Sequence, residues 1–567
     1  MIGAGRANFI PQLVSLSFWV QSLGPVKAHI CAALLGAFSV FAFAPFHFIP
    51  AFIIAVTGLI WLLDGAYDQG LSWRSFFSRG WAFAFGFFLC GLHWVAFAFL
   101  VDPEKYAYLI FLPLLIGPAY LAIYWGLALA ILRLVWSRSP ARLLVFCVGL
   151  SLAEYIRGSL FGGFPWNLPG TIWVPGGAVS QLAALGGVYG LSVLTLLVGT
   201  LPAALISIST HKDLMRRLFL ICLGCAALAL SWTWGAHRLQ AETRFLDQHV
   251  ALMDAGPPQK EKWEMDPSLI LVRYLDMLKV MDQSPSDIVI WPESAIPVMM
   301  LQEPNALDAI NAYLGERVLI LGTLRRERKA RPADGALGTE RLVQSILTDY
   351  DYFNSLILMD KSSGRSGPHA LYDKHRLVPF GELAAVDIIP FGENLSAFLP
   401  PVIQQATSAG FVPGIGPKVL EYQDRVPRFL ALICYEAIYP NVPRDPKGGP
   451  RPDWMINISN DASFGRGLGP AQHYAQNRYR AIETGLPLAR VASRGRTALI
   501  DGLGRETAIG SPRPQDANGW VSSMVRAKIP KPLAATFYFE YGNLLFFSAL
   551  FMLSLLAFFM QYSYKTN

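Results

Sequence analysis

Runs of roughly twenty apolar residues, the length that crosses a bilayer as a helix of about 30 Å, dominate this chain and decide its architecture. They crowd residues 28–236 and return once at 541–562, leaving a block of about 300 residues with ordinary charge between them. Hydrophobic residues make up 53% of the 567, more than a soluble chain carries. Two zones follow: a bundle of membrane helices and one water-facing domain. Eight spans are read, at about 28–45, 48–65, 79–100, 108–133, 141–157, 185–207, 216–236 and 541–562.

An even number of spans puts both termini on one side. The short segments on that side carry Arg6, Lys27, Arg74, Arg79, Arg138, Arg142, Lys212, Arg216, Arg217 and Lys565, against Lys105 and Arg157 opposite. The positive-inside bias then places the large domain across the membrane from the cytoplasm, in the periplasm of a bacterium. The expected segments are a bundle over 1–240, a periplasmic domain over 241–540, and a closing helix with a cytoplasmic tail over 541–567. Lys27, an apolar run and Ala42-Phe43-Ala44 loosely fit a signal peptide, but Pro45 would follow the cut and residues 51–62 resume an apolar run. Glu154 and Arg157 stand three apart at the end of a span, where they can pair on one helical face. Such a pair serves either function or packing. The breaker- and aromatic-rich run Gly162-Gly163-Phe164-Pro165-Trp166-Asn167 reads as a re-entrant or lid-like loop.

The net charge of +7 comes from scattered Lys and Arg interrupted by acids, which argues against nucleic-acid binding. Five of the six cysteines lie in apolar runs, where cysteine behaves as a small hydrophobe. Cys434 alone falls in the water-facing block, without a soluble partner for a disulfide. It is either a buried inert residue or a reactive thiol, and its neighbours decide. No metal-binding cluster and no glycine-rich nucleotide loop is visible, so no metal or other cofactor is expected.

Within the domain, short β-branched or apolar runs at 249–253, 287–291, 317–321, 353–359, 429–433, 454–458, 488–492 and 497–501 read as strands. Amphipathic stretches at 267–281, 304–315 and 470–485 fall between them, so a layered α/β domain is expected. The Gly- and Pro-rich stretches 361–370 and 441–452 read as surface loops. Three strands end on reactive residues: Trp291-Pro292-Glu293-Ser294, Tyr372-Asp373-Lys374, and Ile433-Cys434-Tyr435-Glu436. Strand ends on one side of such a sheet converge on a crevice. A carboxylate, an ammonium and a thiol meeting there suffice for acyl transfer. Glu293 could take the thiol proton, and Lys374 with the backbone N–H of Tyr435 could stabilise an oxyanion.

These residues resemble the nitrilase superfamily, with its Glu-Lys-Cys triad, and more closely the apolipoprotein N-acyltransferase family. The pieces that carry the resemblance are Leu-Gly-Gly-Val-Tyr-Gly-Leu-Ser at 185–192, Trp291-Pro292-Glu293-Ser294, His375 through Glu382, Ile433-Cys434-Tyr435-Glu436 and Ile458-Ser459-Asn460-Asp461-Ala462, in that order. The resemblance covers nearly the whole chain and implies a membrane α-helical bundle of about eight transmembrane helices joined to an α/β nitrilase-like αββα sandwich. It implies Glu293 as general base, Lys374 as the oxyanion-stabilising lysine and Cys434 as the nucleophile that becomes an acyl thioester. Glu382 is then a supporting carboxylate, Tyr435 and Glu436 flank the nucleophile, and Trp263 lies near the site. The implied donor is a phospholipid, most plausibly phosphatidylethanolamine. The implied acceptor is the N-terminal amine of a diacylglyceryl-modified prolipoprotein, in the third step of lipoprotein maturation. A monomer in the bacterial inner membrane is expected.

Two departures from the family pattern touch the pocket rather than the triad. Ser463 stands where a tryptophan is usual, and Asp254-Ala255-Gly256 stands where a Gln-Gly or Gln-Ala pair is usual. Two other readings compete. A membrane-tethered amidase, or an acyltransferase for a small amine, would need only one span where eight are read. A transporter or scaffold would need charges along an intramembrane path, and few mid-span charges are visible.

Overall fold

The computed structural model describes residues 9–101, 103–206, 211–281, 287–328, 350–363, 367–378, 382, 411–440, 449–465, 467–512, 515–516 and 519–565. The chain divides into two units: residues 1–242, 464–485 and 534–567 form the first, and 243–463 with 486–533 the second.

Among the described residues of the first unit, seven helices are long and apolar enough to cross a membrane: Pro25–Ala42, Ile49–Asp68, Trp73–Phe99, Ala107–Leu132, Val179–Ala204, His211–Arg238 and Leu544–Tyr564. The eighth expected span is the helix Ala141–Arg157, whose 17 residues rise about 26 Å, at the short end of what a bilayer accepts. A helix over Phe9–Gln21 lies outside the expected spans. Close packing between helices comes from small residues. A Cβ on Gly36 would sit 1.9 Å from the Phe83 carbonyl oxygen, and one on Gly86 2.0 Å from that of Ala33, so two helices meet there through bare backbone.

Several charges buried in this unit are paired, while buried Arg79 donates to the Leu62 carbonyl. Arg157 donates to Glu154 at 2.6 Å and to the carbonyls of Phe164 and Trp166, while the Trp125 indole N–H donates to Glu154 at 2.6 Å. The pair therefore ties the 162–167 loop to the helix end, and Trp166 is buried, not part of an open lid. Asp64 accepts from Arg142 at 2.9 Å and Trp136 at 3.1 Å and forms an ion pair with Arg138 at 3.0 Å. The helix Leu468–Thr484 belongs to this unit although it lies between two strands in sequence. Its Gln472 accepts from the Trp166 indole at 2.8 Å, and its Glu483 accepts from the Val188 N–H at 2.8 Å. An apolar cavity of about 710 Å³ lies among the helices around Tyr124, Leu152 and Phe558, and none of the candidate site residues lines it.

The described residues of the second unit include thirteen strands: β1 Phe245–Asp254, β2 Asp287–Ile290, β3 Val318–Arg328, β4 Tyr350–Asp360, β5 Ala370–Asp373, β6 Val419–Tyr422, β7 Val426–Ile433, β8 Trp454–Asn460, β9 Leu488–Ser493, β10 Ala498–Ile500, β11 Glu506–Ile509, β12 Ser511–Pro512 and β13 Ser523–Pro530. One sheet runs β12-β13-β1-β2-β3-β4-β5 and the other β11-β10-β9-β8-β7-β6. The central strands pair in parallel, β1 with β2 and β2 with β3 in one sheet, β7 with β8 and β8 with β9 in the other. Parallel strands are buried on both faces, which is why β2 is apolar over Ile288–Ile290 and β8 carries apolar residues on both faces at Trp454, Met455, Ile456 and Ile458. The helices Pro267–Val280 and Pro304–Leu314 cover one face of the larger sheet, packing Ile270, Tyr274, Leu278, Ile310 and Leu314 against Met253, Val289, Trp291 and Leu319. The two sheets pack with β1 beside β9 and β13 beside β10. This is the expected α/β nitrilase-like arrangement.

Candidate active site

Each candidate residue follows a strand: β2 runs through Trp291 and Pro292 to Glu293, β5 delivers Lys374, and β7 delivers Cys434. Glu293 owes its place to a bare backbone beneath it. A Cβ on Gly322 of β3 would lie 2.6 Å from the Glu293 Cα, and the Gly322 N–H donates to the Pro292 carbonyl at 3.2 Å.

Lys374 is 1% exposed. Its ammonium donates to Glu382 Oε1 at 2.9 Å and lies 3.4 Å from Glu293 Oε1. Burial works against the charge, but the carboxylates of Glu382 and Glu293 outweigh it and hold the ammonium's pKa above its ordinary value. Asn354, from the middle of β4, donates to both carboxylates, at 2.7 Å to Glu293 and 2.9 Å to Glu382. The remaining oxygens are also engaged. Glu293 Oε2 accepts the Asn460 backbone N–H at 2.8 Å, and Glu382 Oε2 accepts that of Val378 at 2.9 Å.

Cys434 sits at φ 49°, in the left-handed region that side-chain-bearing residues seldom occupy. The surroundings over-determine that conformation, as such strain requires. Glu436, two residues on, accepts the Ile433 N–H at 2.7 Å with one oxygen. Its other oxygen takes the N–H groups of His375 and Arg376 at 2.9 and 3.1 Å and the Tyr372 hydroxyl at 2.7 Å. The nucleophile loop is thereby bolted to the lysine loop. Burial raises the Glu436 pKa, but the hydrogen bond and charge of His375, with the Ile433 N–H, outweigh it and leave the carboxyl below its usual range. From the other side, Asn457 donates to the Cys434 carbonyl at 3.3 Å and accepts from Arg490 at 2.6 Å, which in turn pairs with Asp461 at 2.6 Å.

The thiol of Cys434 is buried within the fields of both Glu293 and Lys374. Burial first, then the Glu293 charge, push its pKa up, and the Lys374 ammonium opposes them. Such a thiol rests protonated near neutral pH, so attack requires a base. The structure thus brings Glu293, Lys374, Glu382 and Cys434 together.

The other expected residues occupy the margin. Tyr435 is buried, its hydroxyl accepting from Tyr439 at 3.0 Å. Trp263 is 50% exposed on the short helix Gln259–Glu264, which Gln259 joins to the site through Asn460 at 3.2 Å. Ser463 lies half-buried on the turn Asp461–Phe464. Asp254 closes β1 and accepts the N–H groups of Gly256 at 3.0 Å and Arg494 at 2.9 Å. Asn354 was not expected. The only sequence signal for Asn354 is an amide inside an apolar strand.

Residues 35–201 match the family model of the apolipoprotein N-acyltransferase N-terminal domain, and residues 249–526 that of carbon-nitrogen hydrolase. The chain is 32% identical over 528 residues to the apolipoprotein N-acyltransferase of Rhodopseudomonas palustris, covering 91% of this chain and 92% of that one. It is 34% identical over 495 residues to the enzyme of that name from Rhizobium rhizogenes, covering 84% and 87%, and 34% over 522 residues to that from Brucella melitensis, covering 88% and 89%. With the membrane helices, the two-sheet domain and the buried Glu-Lys-Cys constellation in one chain, these matches establish that this multi-pass membrane protein belongs to the apolipoprotein N-acyltransferase family.

Proposed function

We propose that transfer runs in two steps through an acyl thioester on Cys434. Glu293 takes the thiol proton as sulfur attacks an ester carbonyl of a phospholipid, most plausibly phosphatidylethanolamine, and returns it to the departing lysophospholipid oxygen. The α-amine of a diacylglyceryl-modified cysteine at a lipoprotein's N-terminus then attacks the thioester. Glu293 accepts its proton and the thiol is regenerated. Lys374 stabilises the oxyanion in both steps alongside the Tyr435 backbone N–H, and Glu382 orients Lys374. The Lys374 ammonium shared by two carboxylates beside a buried thiol carries this reading. A buried site would also slow hydrolysis of the thioester by excluding water.

The excess of Lys and Arg in the loops on the side of the termini supports a periplasmic catalytic unit in the inner membrane of a bacterium. A single chain supplies every group named, which supports a monomer as the acting unit.

Incubating the enzyme with phosphatidylethanolamine and digesting it is expected to add one acyl mass to the peptide that holds Cys434. Turnover without that adduct, even in rapid quench, would remove the covalent route. A further expectation concerns Gly322→Ala. The new methyl must displace the Glu293 backbone, so transfer to a lipopeptide should fall about 100-fold, with about 1–3 kcal/mol of stability lost to overpacking. A variant with wild-type turnover would show that the glutamate loop tolerates the shift.

A further inference from the structure

We propose that Arg376 anchors the phosphodiester of the phospholipid donor: its exposed guanidinium, seated over the Tyr439 ring beside the nucleophile turn, holds the lipid while the ester carbonyl is presented to Cys434. The inference rests on a phospholipid being the acyl donor at Cys434.

Arg376 follows Lys374 by two residues, on the loop that leaves β5. Its backbone N–H donates to Glu436 at 3.1 Å, which fixes the loop to the nucleophile turn. Its side chain returns to the same turn, where the guanidinium carbon lies 4.0 Å from the centre of the Tyr439 ring. Tyr439 packs edge-on against Tyr435 with ring centres 5.3 Å apart, and its hydroxyl donates to that of Tyr435 at 3.0 Å. Tyr435 is the residue after Cys434. Both ends of Arg376 are therefore attached to the segment that holds the nucleophile.

The charge of Arg376 is not consumed by the fold. Elsewhere in this unit Arg325 pairs with Asp373 at 2.7 Å, Arg425 with Asp360 at 2.7 Å, Arg490 with Asp461 at 2.6 Å and Arg505 with Asp501 at 2.8 Å. Among the described residues no carboxylate forms an ion pair with Arg376. The two carboxylates of its neighbourhood are committed, Glu382 to Lys374 at 2.8 Å and Glu436 to His375 at 2.6 Å. Tyr435 and Tyr439 are buried beneath it, whereas Arg376 itself is exposed. An aromatic ring under a guanidinium holds the planar fork in place without neutralising it.

A fork held in this way matches an anion that offers two oxygens side by side, as a phosphate does. In a phospholipid that anion and the reacting ester sit on one glycerol backbone, so fixing the first restricts where the second can lie. Charge selects the donor rather than the acceptor. The acceptor brings an amine to the site, which a cation does not attract, whereas the donor brings a phosphodiester.

The test measures acylation of Cys434 in the full-length enzyme in detergent micelles, with wild type, Arg376→Gln and Arg376→Lys. Two donors are compared: phosphatidylethanolamine, and p-nitrophenyl palmitate, an ester without phosphate. In Arg376→Gln the donor concentration for half-maximal acylation should rise about 10- to 100-fold with phosphatidylethanolamine and stay within about twofold with the p-nitrophenyl ester. Arg376→Lys, which keeps a point charge without the fork, should recover part of the loss. Equal losses with both donors would make Arg376 a prop for the tyrosine pair, and unchanged half-saturation with phosphatidylethanolamine would remove it from donor binding; either overturns the proposal. Inorganic phosphate at the lipid's concentration should not compete. Competition that Arg376→Gln abolishes would assign the arginine to a small free anion and overturn the proposal as well. Arg376→Met carries the same expectation should the Gln variant fail to fold. A wild type acylated by the p-nitrophenyl ester but never by phosphatidylethanolamine refutes the phospholipid donor itself. A wild type acylated by both, with an indifferent Arg376→Gln, removes only the role of Arg376.

Discussion

Cys434→Ser is expected to lower acyl transfer about a thousandfold or more while leaving the fold intact. The thiol is buried, and its pKa is raised by that burial and by the charge of Glu293. A serine hydroxyl starts several units higher still. Glu293, whose two oxygens accept from Asn354 and from the Asn460 N–H, would then face a far less acidic proton. The backbone at φ 49° depends on Glu436 and Asn457 rather than on the sulfur, so the turn should survive the exchange. Acylation of a diacylated lipopeptide reads the first effect, and a thermal scan reads the second. Transfer within tenfold of wild type would remove Cys434 as nucleophile.

Much of this was legible because local pattern and global fold agree. All eight runs read as strands are strands, and the stretches 267–281, 304–315 and 470–485 are helices. Parallel strands buried on both faces leave long apolar signatures, and strands that end on Glu293, Lys374 and Cys434 announce a crevice. What escaped depends on contacts far apart in sequence. β13 reads as polar because it pairs antiparallel with β1 at one side of the sheet, with exposed and buried residues mixed along it. The helix Leu468–Thr484 looks like part of the α/β domain, yet Gln472, Tyr479 and Glu483 fasten it to the membrane unit. Asn354 lies in an apolar run whose pattern says only strand. Its role appears once Glu293 and Glu382 are seen to share its amide. The stretch 441–452, read as a loop, lies largely outside the described residues, as do Pro379, Phe380 and Gly381 of the motif that ends in Glu382.

Lys374→Met should cause two losses that can be separated. Removing the ammonium takes away the charge facing the oxyanion, which lowers transfer by about 100- to 1,000-fold. It also leaves Glu293 and Glu382, bridged by one Asn354 amide, as two buried carboxylates without their shared cation. Breaking a buried ion pair from one side costs about 3–5 kcal/mol. The stranded carboxylates respond by holding a proton, so their folded-state pKa values rise above the unfolded ones. Such groups destabilise the fold above their unfolded pKa and cease to do so as the pH falls below it, so the stability deficit of Lys374→Met should shrink from pH 8 to pH 5. Adding Glu382→Gln removes one of the two charges. The double variant Lys374→Met/Glu382→Gln should therefore regain much of the lost thermal stability at pH 8 yet remain inactive. Recovery of transfer in the double variant would mean that the lysine serves only to neutralise its neighbours, and near-wild-type transfer in Lys374→Met alone would exclude it from the chemistry.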